Sequence, residues 1–186
     1  MAERGAAGVI AELKAGGFSD LVEVVIEELD PRRCTELVKE IARLEKKIFP
    51  KHESLARFLE KEVRRKNSGL IYAKAVKGRQ GGDQIVGYVM YSLTTTLCAS
   101  ITKLAGLSLR AVKENYRRLG HGEALLKAAI QKCRTRNVQR VCLHVDPERI
   151  PALSLYRKLS FQIDELVESY YCADRNAYRM SLKFEC

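Results

Sequence analysis

The chain has 186 residues, of which 46% are hydrophobic and 30% are charged, and its formal net charge is +10. The length allows one domain with a complete core, and the composition is that of a globular protein rather than a disordered or fibrous one. No apolar run approaches the roughly 20 residues of a membrane span, which excludes helical membrane proteins. The basic charge fits a solvated surface, nucleic-acid binding or attraction of an anionic ligand.

The N-terminal half predicts two helices between strands. Residues 1–20, rich in Ala and Gly, are expected to form a flexible leader with at most a short helical turn, ahead of one domain over residues 21–186. Residues 21–29 are apolar and predict a strand. Residues 32–48 repeat apolar side chains at helical spacing, and Pro50 ends that helix. A second helix is predicted over residues 54–65.

The remaining elements predict a mixed sheet. Strands are expected at residues 70–76 and 85–93, with a flexible turn at residues 77–83, and a third strand runs from Ala99 into Val112. A helix over residues 122–136, a strand over 138–145 and a short helix over 151–159 follow. Strands at residues 161–167 and 178–184 close the chain. Strand–helix–strand linkage implies a parallel pair in the middle of antiparallel strands, hence an α/β fold with a central mixed sheet flanked by helices.

The six cysteines are scattered, with no two of them within four positions. Zinc-binding spacings are therefore absent, and we expect no metal. Without a secretion signal, such cysteines are typical of reduced thiols in the cytoplasm or the nucleus. No zinc finger or basic strand interleaved with aromatic residues supports specific nucleic-acid binding. We expect no membrane association.

A glycine turn at residues 116–123 carries the main functional signal. It follows a strand-like run and opens an amphipathic helix. Helix N-termini present free N–H groups and a partial positive charge, so the turn can cradle phosphates. Leu125 stands where the dinucleotide fingerprint requires a third glycine, and no Gly-Lys-Ser/Thr is present. The pattern that fits is Arg-x-x-Gly-x-Gly, formed by Arg117, Gly120 and Gly122.

This turn resembles the pyrophosphate loop of the GNAT superfamily of N-acetyltransferases, which bind acetyl-CoA. Three further motifs agree with the resemblance. Leu143-His144-Val145 followed by Tyr156 through Phe161 is similar to the family's second half, with Ser160 in place of a glycine. Tyr170-Tyr171 and Ile48-Phe49-Pro50 are similar to the tyrosine pair and the substrate loop of protein N-terminal acetyltransferases. The ribosomal-protein alanine acetyltransferase belongs to the same branch. The resemblance covers residues 22–184 and implies the GNAT acyl-CoA N-acyltransferase fold.

The resemblance also implies a set of contacts with acetyl-CoA. The strand before the turn would pair with the pantetheine arm, and the turn would hold the pyrophosphate through backbone amides, to which His121 would contribute only its N–H. Arg149 stands near the place of an asparagine that often helps to hold the cofactor. The implied cofactor-binding residues are Leu109, Ala111, Val112, Arg117, Arg118, Leu119, Gly120, His121, Gly122, Glu123, Arg149 and Tyr156.

Two residues are candidates for catalysis. His144 matches a family histidine that relays a proton through water, and an imidazole pKa near ~6.5 suits a base at neutral pH. The alternative is that His144 has only a structural role, as a core histidine of an apolar strand with its hydrogen bonds satisfied. By the resemblance, Tyr156 is placed to donate a proton to the departing thiolate. The alternative is that its ring only packs against neighbouring side chains. Phe49, Pro50, Tyr170 and Tyr171 would frame a slot for the first residues of a peptide.

Three departures from the family pattern bear on the acceptor amine or on cofactor binding. No tyrosine or carboxylate stands near residues 100–102, where related enzymes often have a partner base. A weakened base favours α-amines, with a pKa near ~8, over lysine side chains at ~10.4. The loop continues with the charged segment Lys51, His52 and Glu53. Such a segment would suit an acceptor peptide whose second residue is polar or acidic. The segment between the strand and the turn is six residues longer than in the family, and the extra residues are 106–111. A bulge there would weaken cofactor binding.

The sequence thus predicts a single-domain acetyl-CoA-dependent N-acetyltransferase acting on the α-amines of protein or peptide N-termini, by direct transfer in a ternary complex. An auxiliary subunit or the ribosome is a possible partner for an enzyme of this type. Lysine side chains or polyamines are the alternative acceptors, with Glu53, Glu60 and Glu62 as weak support for polyamines. A weakly active or non-catalytic acetyl-CoA-binding module is the alternative from another functional class.

Overall fold

The computed structural model describes residues 9–15, 22–32, 35–76, 83–106 and 120–184. The strands are β1 (Val9–Ala15), β2 (Val22–Glu28), β3 (Ser68–Val76), β4 (Gln84–Leu93), β5 (Cys98–Gly106), β6 (Arg140–Val145), β7 (Gln162–Cys172) and β8 (Arg175–Lys183). The helices are α1 (Thr35–Ile48), α2 (Leu59–Val63), α3 (His121–Arg134) and α4 (Ile150–Lys158). Among the helices of these ranges, we find none with the length and apolar character needed to cross a membrane.

The strands form an eight-stranded sheet in the order β1-β2-β3-β4-β5-β6-β8-β7. β5 and β6 run parallel, in register from Cys98 with Arg140 to Ile101 with Leu143. β1 with β2, β2 with β3, β6 with β8 and β7 with β8 are antiparallel. The predicted mixed sheet with a central parallel pair, linked through α3, is therefore confirmed.

The expected flexible leader contains a strand. β1 pairs antiparallel with β2, from Val9 with Glu27 to Ala15 with Val22. The sequence does carry the signal, because Ala11, Leu13 and Ala15 alternate with charged residues at the period of two that strands require. The Ala- and Gly-rich composition around it concealed this short pattern.

One compact unit comprises residues 1–90 and 103–128. Its core is formed by one face of α1 together with α2 and the inner side chains of β3 and β4. The buried members include Val38, Ile41, Leu44, Leu59, Val63, Leu70, Tyr72, Ile85, Tyr88 and Met90. Apolar residues three and four apart on α1 meet this core, as the helical spacing predicted.

The second predicted helix is shorter than expected. α2 spans Leu59–Val63 rather than residues 54–65, and Phe58, directly before it, is 58% exposed. The amide of Leu55 donates a hydrogen bond to the side-chain carboxylate of Glu45 (2.8 Å). Residues 56–58 form a turn, in which the amide of Phe58 donates to the Leu55 carbonyl (2.8 Å), and the helix begins only at Leu59.

The other compact unit comprises residues 91–102 and 129–186. Apolar side chains of β6, α4 and β8 form its core, among them Val141, Leu143, Leu153, Ala177 and Met180. β7 is the last strand in the sheet order and is largely exposed to solvent. It continues five residues past the predicted end at 167, so Tyr170 and Tyr171 lie within the strand rather than after it.

Candidate functional site

The glycine turn leads into α3 through a left-handed residue. Gly120 has φ of +71°, a conformation that only glycine adopts without strain. A Cβ at this position would meet no heavy atom within 4 Å, so the backbone angle rather than crowding requires glycine. The first helical bond runs from the amide of Ala124 to the Gly120 carbonyl (2.8 Å). The amides of residues 121–123 precede it and can bind an anion.

His121, the first residue of α3, carries a buried side chain. It is 8% exposed, and its Nδ1 has no hydrogen-bond partner within the described part of the chain. Burial lowers its pKa, so the imidazole is neutral at neutral pH. The sequence interpretation gave this residue a backbone role alone. The structure adds a buried side-chain nitrogen at the start of α3 for which the described residues supply no hydrogen-bond partner.

The other residues expected to bind the cofactor fall in three places: the first turn of α3, α4 with Arg149 directly before it, and residues that the structure does not describe. Gly122 and Glu123 lie in the first turn of α3, where Glu123 forms an ion pair with Lys127 (2.8 Å). Leu109, Ala111, Val112, Arg117, Arg118 and Leu119 lie outside the described residues. The same holds for residues 107–111 of the extra segment.

His144 is an exposed residue near the end of β6. Its ring stacks on Tyr170, with centroids 4.3 Å apart and planes inclined by 11°. The alternative of a buried core histidine is therefore wrong, because only its neighbours Leu143 and Val145 point into the core. Partial burial and the guanidinium of Arg179 lower the pKa of His144, although Glu165 acts in the opposite direction. At neutral pH the imidazole is a free base.

Tyr170 and Tyr171 are in contact although they are neighbours in one strand. Successive strand residues point to opposite faces, yet these rings meet edge to face with centroids 4.9 Å apart. Ser169, directly before them, has φ of +51°, and the register with β8 shifts between Val167 and Cys172. This bulge brings both aromatic rings to one side of the strand. Ser169 is held by bonds to Asn176 (2.9 Å) and Ala173 (2.8 Å).

An ion pair lies against the tyrosine pair. The guanidinium of Arg175 lies 5.0 Å from the ring centroid of Tyr171 and donates to Asp146 through Nη2 (2.7 Å) and Nε (3.2 Å). Asp146, 7% exposed, also accepts the amide of Glu148 (2.9 Å). The Arg175 hydrogen bond, followed by that amide, lowers the pKa of Asp146. The carboxylate therefore remains charged and holds Arg175 against the ring.

Tyr156 lies on α4 with 7% of its surface exposed. Its ring packs at a tilt on Phe161, with centroids 5.9 Å apart. Burial, with a smaller contribution from Tyr171, raises the pKa of Tyr156 to about 12. The phenol thus keeps its proton at neutral pH and can act as a proton donor. The packing role and the donor role are both compatible with this geometry.

The predicted acceptor loop lies in the other compact unit. Phe49 is half-buried and Pro50 is exposed. The ammonium of Lys103 lies 3.7 Å from the Phe49 ring centroid and 3.4 Å from the carboxylate of Glu45. Glu45 has no exposed surface, so the ion pair that contacts this loop has a fully buried carboxylate.

Residues 33–161 match the sequence profile of the acetyltransferase (GNAT) family. The chain belongs to this family. Its fold agrees, because the NatC complex bound to Gag peptide and CoA superposes with a TM-score of 0.66 at 20% identity, over 87% of this chain and 99% of that one. An aminoglycoside 6'-acetyltransferase superposes with a TM-score of 0.68 at 17% identity, covering 85% and 96% of the two chains. Likenesses of this degree establish the GNAT fold and leave the acceptor open.

Among curated relatives, an N-alpha-acetyltransferase of Sulfurisphaera tokodaii is 35% identical over 105 residues. The match covers 53% of this chain and 62% of the relative, so the chain spans less than two thirds of the relative's length.

Sequence reasoning missed two ion pairs that lie beside candidate site residues. Asp146 pairs with Arg175, which lies against Tyr171, and Glu45 pairs with Lys103, which lies over Phe49. Glu45 gave a usable signal, since it lies four residues after Ile41 on the apolar face of α1, where a carboxylate requires a partner. Asp146 follows β6, Lys103 lies within β5 and Arg175 begins β8, and their pairing depends on tertiary structure.

Two thiols in the described GNAT domain are poor nucleophiles. Burial raises the pKa of Cys133 to about 12 and also raises the pKa of Cys142, whose sulfur lies 3.6 Å from that of Cys98. Both are protonated at neutral pH, and a thiol in that state reacts slowly with a thioester. The described residues contain no group of three or more His, Cys, Asp or Glu that could hold a metal ion.

Proposed function

We propose that this GNAT protein transfers the acetyl group of acetyl-CoA to the α-amine of protein or peptide N-termini. The observation that carries the proposal is the aromatic cluster on β6 and β7, in which Tyr170 stacks on His144 and Tyr171 meets Tyr170 edge to face. Aromatic rings in this arrangement can pack on peptide planes, and their hydroxyls can bond to peptide carbonyls. A neutral imidazole lies within the same cluster. The similarity to a curated N-alpha-acetyltransferase supports the same acceptor.

The chemistry would need one proton acceptor and one proton donor. The amine nitrogen bonds to the acetyl carbon, and its proton passes, through a water, to the neutral imidazole of His144. The carbon–sulfur bond then breaks, and the phenol of Tyr156 gives its proton to the thiolate. The amides at the start of α3 would hold the pyrophosphate of acetyl-CoA, which the left-handed Gly120 and the position of these amides at a helix N-terminus fit.

We propose direct transfer in a ternary complex, and the state of two buried cysteines supports it. A cysteine acetyl-enzyme would require a thiolate, and burial keeps Cys133 and Cys142 protonated. A histidine and a tyrosine that exchange protons with acceptor and leaving group suffice for a single displacement. The thioester then never needs to be transferred to the protein.

The polyamine alternative receives little support from the acidic residues that suggested it. Glu60 is paired with Arg64 (2.9 Å) and Glu62 with Arg65 (3.0 Å), so both carboxylates are neutralised locally. Lysine side chains as acceptors are disfavoured by their higher pKa, because His144 would have to remove a more tightly held proton. We further propose a cytoplasmic or nuclear enzyme, with an auxiliary subunit or the ribosome as candidate partner.

The test is acetyl transfer from labelled acetyl-CoA to three acceptor sets: peptides with free N-termini, N-blocked peptides with an internal lysine, and polyamines. Product on free N-termini alone is the expected result, and the preferred first residues can be read by mass. Faster product formation on lysine or polyamines would overturn the proposed acceptor. Absence of product with all three would favour a non-catalytic module, and a variant lacking residues 106–111 would show whether that segment suppresses activity.

A further inference from the structure

A fully buried carboxylate lies at the end of α1. Glu45 has no exposed surface, and each of its oxygens is engaged. Oε1 accepts the amide of Leu55 (2.8 Å) and lies 3.4 Å from Nζ of Lys103. Oε2 accepts the hydroxyl of Tyr88, and burial together with this carboxylate raises the pKa of Tyr88, so the hydroxyl stays a donor. A charge removed from water requires such compensation.

Lys103 connects this carboxylate to the acceptor loop. Its side chain is 14% exposed, and Nζ donates to the backbone carbonyl of Glu53 (2.6 Å). The same ammonium lies over the ring of Phe49 at 3.7 Å from the centroid. Residues 49–55 are therefore fixed near their start by a cation–π contact and near their end by two hydrogen bonds to one ion pair.

Stability alone does not account for this arrangement. Buried ion pairs can often be replaced by apolar residues of similar volume at little cost. Apolar side chains could not, however, bond to the Glu53 carbonyl and the Leu55 amide. Within the loop itself, the amides of Glu53 and Ser54 both donate to the Pro50 carbonyl (3.0 Å each), which closes the turn but does not attach it to the core. The ion pair supplies that attachment.

We propose that Glu45 and Lys103 are positioning residues that hold residues 49–55 in the conformation that receives the acceptor substrate. The inference rests on the proposed acetyl transfer to peptide N-termini. Phe49 and Pro50 present the loop surface, while Glu45 and Lys103 fix the backbone behind it and touch no substrate themselves. Loss of the pair lets the loop adopt other conformations, so the acceptor binds less often in a productive way.

The test compares Lys103→Met with the double variant Glu45→Leu, Lys103→Met. Lys74→Met is the matched control, because Lys74 is a partly buried lysine of the same unit that pairs with Asp83 (3.2 Å) and Glu27 (3.9 Å). We expect Lys103→Met to raise the acceptor KM about tenfold with kcat and the acetyl-CoA KM changed less than about twofold. The double variant, free of an unpaired buried charge, should recover thermal stability and keep the raised acceptor KM.

Hydrogen exchange at the Leu55 amide provides a readout that needs no turnover. Both variants should lose protection there, while Lys74→Met keeps it. An unchanged acceptor KM, unchanged protection at Leu55, or a double variant that recovers stability and acceptor KM together would overturn the positioning role. If wild-type protein acetylates only lysine or polyamines, the proposed function fails, and the same variants are scored with the amine that is accepted. If no amine is accepted, the exchange measurement decides the inference alone.

Discussion

The ring of Tyr170 lies flat against the imidazole of His144, with 4.3 Å between centroids and 11° between planes. Stacking covers one face of the imidazole and leaves its nitrogens, which lie in the ring plane, open at the edge. A proton can therefore reach or leave His144 while the tyrosine stays in place. The contact joins the candidate base directly to the aromatic pair that would hold the acceptor.

Replacing the imidazole by an amide tests the role of His144 as a base. His144→Gln keeps a polar side chain able to contact Tyr170 but cannot accept a proton near neutral pH. We expect kcat to fall about 100-fold, with the KM for acetyl-CoA nearly unchanged. Steady-state kinetics with a peptide acceptor measures both constants. A kcat within about threefold of wild type would assign the proton transfer to another group.

The pH profile provides a second test of His144. Partial burial and Arg179 lower its pKa, and the active form is the neutral ring, so the acidic limb of kcat should lie below the ordinary imidazole pKa of 6.5. Arg179→Met removes a positive charge and frees Glu165 from its ion pair (2.9 Å). Both effects raise the pKa of His144, and the acidic limb should move to higher pH. A limb that stays fixed or moves to lower pH would contradict the assignment.

Removing one oxygen atom tests Tyr156. Tyr156→Phe preserves the ring that packs on Phe161 and should leave the melting temperature close to wild type. The proton donor is lost, so kcat should fall about 100-fold while the acetyl-CoA KM stays similar. Tyr178→Phe on β8 is the control, with both constants expected near wild type. Equal effects of the two substitutions would show that Tyr156 only packs.

The ion pair below the tyrosines should affect acceptor binding rather than chemistry. Arg175→Met removes the cation beside Tyr171 and its bond to Asp146. The pair of rings loses its support, and we expect an acceptor KM raised about tenfold at nearly constant kcat. Exposed Arg157 of α4 provides the control substitution Arg157→Met. A lower kcat with unchanged acceptor KM would place Arg175 in the chemical step instead.

The unpaired nitrogen of His121 predicts a stabilising substitution. His121→Leu removes a buried polar atom that has no partner in the described part of the chain, at a position that is 92% buried. We expect a gain of about 1 kcal/mol, measured as a melting temperature higher by about 2–4 °C. If only the backbone of this turn binds pyrophosphate, calorimetry should give the same Kd for CoA. A loss of CoA affinity would assign the side chain a direct contact.

Periodicity in the sequence predicted the elements of this fold well because burial repeats differently in helices and strands. α3, β6 and α4 were placed within a few residues of their observed bounds, and His144 stacks on Tyr170. Local pattern predicted neither the start of α2 at Leu59 nor the bond from the Leu55 amide to Glu45, ten residues away. Lys103 and Glu45 are 58 residues apart, and the fold alone brings such pairs together.

Ser169, the residue before the tyrosine pair, has a left-handed backbone conformation that bears on how the two rings are arranged. Ser169 has a backbone angle that few residues other than glycine adopt, and its hydroxyl and amide are bonded to the hairpin that follows. We expect a substitution that changes this angle to move the two rings apart without altering either of them. Divergence of the acceptor preference between related proteins could therefore arise from a residue that never touches the acceptor, through the backbone angle of one position.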